Sequence, residues 1–251
     1  MKNELIKTIK QKKELSGLVD SVVKTALNNY LNKYRIELAN LSQKQKKIIV
    51  KDLRAELRIL TGRFQKSLKN REKLFKEGDF QKILKTHSST AERLEFYPEL
   101  KKIVASLKPA SILDLGCGLN PLALANPKIK YHASDIKQDE LSLVKKFFKK
   151  NKIKGETFIC DLRNLKKNLP RADLCLLFKV LDVIEKKHAR KILTTVPCTR
   201  LIVSFSTRKL SGKPMNFPKR IWFEVLLKKL NFPFKTFKSE NEVFYFVEKG
   251  S

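Results

Sequence analysis

Asp114-Leu-Gly116-Cys-Gly118-Leu-Asn120-Pro121 is the stretch of this chain whose residue types and spacing most plainly allow chemistry. It follows Ser111-Ile-Leu, which reads as a buried strand, and glycines at a strand-to-helix turn let the backbone come close to a ligand. A dinucleotide fingerprint would place a third glycine where this chain has Pro121, so a pyrophosphate is poorly served and an adenosine ligand without one is favoured. Asp135 ends the next apolar run, 19 residues after Gly116, the station of an acid that accepts from ribose hydroxyls. Asp161 ends the run after that, placed to accept from an adenine amino group. Each acid alone could be an ordinary turn residue or helix cap. Three aligned strand-end signals point together to S-adenosylmethionine.

The elements that must position these residues fall into two groups. Runs at 111–115, 131–134, 157–160, 174–178 and 201–205 are short and apolar or β-branched, and helix-like stretches separate most of them. That alternation predicts a mostly parallel sheet covered on both faces, closed by an antiparallel hairpin from 232–237 and 242–247. A helix is expected over about 90–106. Residues 1–86 lack strand-like alternation and contain no proline, and apolar residues recur there at helical spacing from Leu15 to Tyr34. Ser42 with Gln45 forms a capping-box pattern, followed by Ile49, Leu53, Leu57 and Leu60 on one face and Gly62 as a stop. The expected organisation is a helical domain over 1–86 and a Rossmann-like α/β domain over 87–251.

The chain has 251 residues and a formal net charge of +30, from 55 Lys and Arg against 25 Asp and Glu. Residues 1–86 hold 22 basic and 9 acidic side chains, leaving 33 and 16 for the rest, so both parts are cationic. A polyanion, RNA above all, is the expected partner. No apolar run approaches the length of a membrane span, no secretion signal is apparent, and a cytoplasmic location is expected. Cys117, Cys160, Cys175 and Cys198 lie 43, 15 and 23 residues apart, which fits neither a metal knuckle nor a disulfide scaffold, and no metal is expected.

A resemblance adds to this. Thr86-His87-Ser88-Ser89-Thr90-Ala91-Glu92-Arg93-Leu94, followed by Leu113-Asp-Leu-Gly-Cys-Gly-Leu-Asn-Pro-Leu-Ala123, resembles the aminoglycoside-resistance ribosomal RNA methyltransferases. That family methylates N7 of a decoding-site guanine in 16S ribosomal RNA. The likeness continues through Ser206–Lys213, Trp222, Glu224 and Asn241-Glu242-Val243-Phe244, covering most of residues 64–249. It implies a class I S-adenosylmethionine-dependent methyltransferase fold and a set of cofactor contacts. His87, Ser88, Ser89 and Arg93 would meet the methionine end, Gly116 the turn, Asp135 the ribose, and Asp161 with Leu162 the adenine. Leu177, Lys186 and Phe64 match further contacts, although relatives commonly carry Gln where Lys186 stands. Ser89 with Glu92 is equally a capping box, a use compatible with the other.

The resemblance and the residues agree on chemistry. The fourth strand runs into Phe178-Lys179-Val180-Leu181-Asp182 with none of the prolines that accompany methylation of an exocyclic amine. Cys198 precedes the fifth strand, on the edge of the sheet away from the expected site. Guanine N7 exposes a lone pair and needs no general base, so proximity and orientation suffice and no catalytic residue is assigned. Arg208, Lys209 and Lys213, after the fifth strand, are placed to hold a flipped nucleotide; solvated loop charge is their ordinary reading. Trp222 reads as core. The expected partner is 16S ribosomal RNA in the small subunit, with the helical domain docking and the chain acting as a monomer. The alternatives are another ribosomal or transfer RNA target, or a non-catalytic RNA-binding assembly factor.

Overall fold

The computed structural model describes residues 1–39, 41–61, 70–165, 168–208, 213–215 and 219–250. The chain begins with α1 (Lys2–Lys10), α2 (Lys13–Ser16), α3 (Asp20–Tyr34) and α4 (Gln43–Thr61). Their apolar faces meet in one core that holds Ile9, Leu15, Val23, Leu27, Leu53 and Leu57. The expected capping box forms at α4: Ser42 donates its N–H to Gln45 Oε1 at 2.8 Å, and Gln45 returns its own to Ser42 Oγ at 3.2 Å. Gly62 and the segment after it, to residue 69, lie outside the described residues.

Next come α5 (Arg71–Glu77), α6 (Phe80–Lys85), α7 (Ser88–Glu92) and α8 (Tyr97–Ser106). The helix expected over 90–106 is two helices joined by a 3-10 turn at Leu94–Phe96. Pro98, which has no N–H to donate, sits in the first turn of α8, where none is needed. Within the first 86 residues, Ile83 and Leu84 of α6 belong to the core that lies against the sheet, and Leu74, Phe75 and Phe80 pack on it.

From there strands and helices alternate: β1 (Ser111–Leu115), α9 (Pro121–Leu124), β2 (Lys130–Asp135), α10 (Gln138–Lys150), β3 (Gly155–Ile159), β4 (Leu174–Phe178), α11 (Lys187–Thr195), β5 (Arg200–Ser206) and α12 (Ile221–Lys229). The hairpin β6 (Phe234–Lys238) and β7 (Glu242–Glu248) closes the sheet. The seven strands run in the order β3-β2-β1-β4-β5-β7-β6, parallel through β5, with β7 antiparallel to both β5 and β6. Alternation of side chains along a strand splits the core in two. Leu174, Leu176 and Phe178 of β4 face the layer of α8, α9 and α10, while Cys175 and Leu177 face that of α11 and α12. The strand order reverses between β1 and β4, which opens a crevice at their carboxyl ends.

The helical core is stitched to this crevice. Val19 donates its N–H to Ile136 O at 3.2 Å and Gln138 donates to Gly17 O at 2.8 Å, bracketing an antiparallel bridge between Leu18 and Lys137.

Candidate functional site

A cleft of about 820 Å³ lies over the carboxyl ends of β1, β2 and β4 and the residues following β3. Its floor is the glycine turn. Gly116 and Gly118 hold φ of +69° and +48°, and a Cβ on Gly116 would stand 2.6 Å from Val180 Cγ2. A side chain there would be strained and would fill the space between turn and opposite wall. Cys160, Leu162, Val180, Val183 and Ile184 supply apolar wall, and Leu60 and Thr61 bring the end of α4 to the rim.

Asp135 lines the cleft with a carboxylate held by three backbone donors. Oδ2 accepts from Gly118 N–H at 2.9 Å, and Oδ1 accepts from Ile136 and Lys137 at 2.7 and 3.0 Å. Burial pushes this carboxyl up to about 6 against the opposing pull of those amides. Behind it Asp114, pushed by burial up to about 7, accepts from Tyr131 Oη at 2.7 Å and does not line the cleft. Asp161 lines the cleft and caps the 3-10 turn Leu162–Asn164, with Arg163 donating to Oδ1 and Oδ2 at 3.0 and 2.8 Å. His87 lines the other side. Burial, with the charges of Arg71, Lys137, Arg93 and Lys179, drives its imidazole down to about 3, so it stays neutral.

Behind Ser89 lies a buried ionic network. Arg93 and Glu242 are both enclosed, paired at 2.8 Å. Arg93 also donates to Asn120 Oδ1 at 2.6 Å, and its guanidinium lies 4.7 Å from the ring centroid of Phe178. Burial pushes Glu242 up, but Arg93 and Lys179 outweigh it and hold the carboxyl below its ordinary range. Ser204 Oγ donates to Glu242 at 2.6 Å. Lys179, at φ +59° directly after β4, lines the cleft and pairs with Glu92 and, at 3.5 Å, with Glu242. A second buried pair, Arg71 with Glu140 at 3.1 Å, braces the rim, and Arg71 also donates to Thr86 Oγ1 at 2.7 Å.

Of the residues picked out by sequence, His87, Ser89, Gly116, Asp135, Asp161 and Leu162 come together around the cleft. Arg93 stands behind the wall with its fork taken up by Glu242 and Asn120, and Ser88 does not line the cleft. Leu177 is fully buried under the α11–α12 layer, because the inward phase of β4 there faces away from the cleft. Lys186 is exposed beyond the lip, its ammonium 5.4 Å from the Trp222 ring centroid. Trp222 is half-buried and packs on the core, as expected of it. Arg208 donates from Nε to Asn241 Oδ1 at 2.5 Å, and Lys213 is exposed. Phe64 and Lys209 lie outside the described residues. Lys179 and Glu140 line the cleft and Glu242 backs it without having been assigned a role. A carboxylate opening the apolar alternation of the last strand was the available signal for Glu242.

The geometry suits an adenosine ligand with a compact polar tail. The glycine floor leaves space that a Cβ would fill, Asp135 presents an acceptor at the end of β2, and the walls are mostly apolar. A family model described as ribosomal RNA methyltransferase (FmrO) matches residues 76–244. The chain is 33% identical over 192 residues to a 16S rRNA (guanine(1405)-N(7))-methyltransferase of Serratia marcescens, covering 72% of this chain and 75% of that protein. Its fold is similar to the crystal structure of the 16S rRNA methyltransferase RmtF in complex with S-adenosyl-L-homocysteine, with a TM-score of 0.82 and 26% identity over 99% of this chain and 98% of that one. It is equally similar to the 16S rRNA methylase RmtB, with a TM-score of 0.80 and 26% identity over 100% and 99%.

Proposed function

The chain belongs to the ribosomal RNA methyltransferase (FmrO) family, and from that premise we infer that it methylates N7 of a 16S rRNA guanine, nucleotide 1405 in the names of its relatives. The methyl donor is S-adenosyl-L-methionine, which supplies an electrophilic methyl group on a sulfonium when bound. The observation that carries this reading is the alignment of the Gly116 turn, Asp135 and Asp161 at successive strand ends around one cleft.

The roles of the residues follow from their positions. Asp135 accepts from ribose hydroxyls while its other lone pairs stay on the three amides that fix it. Asp161 and Leu162 flank the adenine, and Val180, Val183 and Ile184 exclude water beside it. His87 and Ser89 border the methionine end, and Arg93 acts from behind, holding Ser89 Oγ at 3.3 Å and placing positive charge under the wall. N7 brings its own lone pair, so the protein contributes orientation and a dry approach with no base to remove a proton. Arg208 and Lys213 lie on the loop after β5, within reach of a nucleotide swung out of its stack. The helical part, carrying 22 of the basic residues by residue 86, docks on the folded subunit.

Methylation at N7 removes a hydrogen-bond acceptor and adds a positive charge, both unfavourable to a cationic aminoglycoside at the decoding site. Expression in a sensitive bacterium is expected to raise aminoglycoside tolerance. The direct test is incubation of purified small subunits with enzyme and S-adenosyl-L-methionine, then borohydride and aniline cleavage and primer extension. A new stop at nucleotide 1405 is expected. A stop elsewhere, or none, would overturn the target.

A further inference from the structure

Val183 and Ile184 form one lip of the cofactor cleft, and the chain leaves that lip straight into Glu185-Lys186-Lys187-His188 at the start of α11. Two peptide steps separate Ile184 from Lys186, so their Cα atoms lie within about 7.6 Å of each other. Lys186 nonetheless does not line the cleft. Its exposed side chain lies with the ammonium 5.4 Å from the ring centroid of Trp222. Trp222 is a fixed platform, edge-on to Phe205 and Phe223 at 5.9 and 5.6 Å, and an anchored indole face orients a cation.

Other cations share this surface. Lys187 pairs with Glu185 at 2.7 Å, both side chains largely exposed. Lys33, from the last turn of α3, stands close enough that it joins Lys187 and His188 in holding Glu185 below its ordinary range. Lys33 lies over the ring of Tyr34 at 5.1 Å, and Tyr34 is 53% exposed. Two elements from opposite ends of the chain therefore bring ammonium groups and aromatic faces to one place, just outside the cleft.

We propose that Lys33 and Lys186 form a phosphate-gripping wall for the RNA strand that carries the target nucleotide. The inference rests on the RNA methyltransferase reading above. A guanine presented to the cleft must lead its flanking sugar–phosphate past a lip, and Lys186 stands within a nucleotide's reach of this one. Cations backed by aromatic rings are the chemistry of single-strand tracking. A cofactor carboxylate, in contrast, would have to lie inside the cleft that Lys186 leaves.

The test uses purified bacterial small subunits and the variants Lys186→Glu, Lys33→Glu and Lys186→Arg, with folding checked by circular dichroism. Subunit affinity is measured across a potassium chloride series, and S-adenosyl-L-homocysteine affinity by calorimetry. Each charge reversal is expected to weaken subunit binding about tenfold or more and to flatten the log–log salt slope by about 1. Cofactor affinity should stay within about twofold, a shift well under one tenfold step, and Lys186→Arg should keep parental binding. An unchanged salt slope would overturn the proposal, and an unchanged slope with weakened cofactor binding would return Lys186 to the cofactor site. Absence of methyl transfer by the parent would count against the function, while the binding slope still decides the wall.

Discussion

Asp135 sets the pH behaviour of the site. Burial raises its carboxyl to about 6, so between the ordinary carboxylate range and that value the folded protein binds a proton that the unfolded chain does not. The cost of burying the charge is fully present above about 6 and is relieved as pH falls through it. Cofactor binding runs the other way, because ribose hydroxyls need the ionised acceptor. Affinity for S-adenosyl-L-homocysteine, measured by calorimetry from pH 8 to 5, is expected to fall through about 6. Histidine is the usual suspect for such a midpoint, but His87 is held near 3. Asp135→Asn should therefore abolish the pH dependence and weaken binding by about 1.5–3 kcal/mol, the worth of a hydrogen bond to a charged group. The buried pair offers a stability counterpart. Glu242→Gln leaves Arg93 uncompensated in the interior and should cost about 3–5 kcal/mol in urea unfolding. Asp135, Gly116 and Asp161 were legible in sequence because each stands at a strand end, where spacing carries meaning. Arg93 was legible as important, but its partner lies 149 residues away on another element, a distance no local pattern spans. Lys186 and Leu177 show the same limit: spacing places a residue on an element but does not say which way its side chain turns.

Elements were read more fully than individual contacts. The core strands were found within two residues of their observed ends, because buried parallel strands are short apolar runs between polar breaks. The break between α7 and α8 was missed, since apolar periodicity continues across it and only Pro98 marks the new start. The packing of α5 and α6 on the sheet core was also invisible, because a helix's apolar face does not name its partner. α4 connects two jobs. Leu53 and Leu57 are fully buried in the helical core, and Leu60 lies at the rim of the cofactor cleft. Leu57→Ala should cost about 2–5 kcal/mol through its cavity, and Ser42→Ala about 1 kcal/mol through the lost cap, both measurable by thermal or urea unfolding.

At the scale of the whole molecule, the charge of +30 is distributed across both parts of the chain. Subunit binding is therefore expected to weaken steeply between low and physiological salt, with a slope that counts the phosphates contacted. Cofactor affinity, set inside an enclosed cleft, should change little over the same range. A salt series on both equilibria separates the two.

The antiparallel seam between residues 17–19 and 136–138 has a consequence for energy as well as for shape. It fastens the helical part to the backbone immediately beyond Asp135, the same backbone whose amides the Asp135 carboxylate holds. A ligand that tightens this strand end and a surface that grips the helices therefore draw on one shared set of hydrogen bonds. Whatever factor the bound cofactor imposes on subunit affinity, the bound subunit must impose on cofactor affinity, since the two routes around that cycle close.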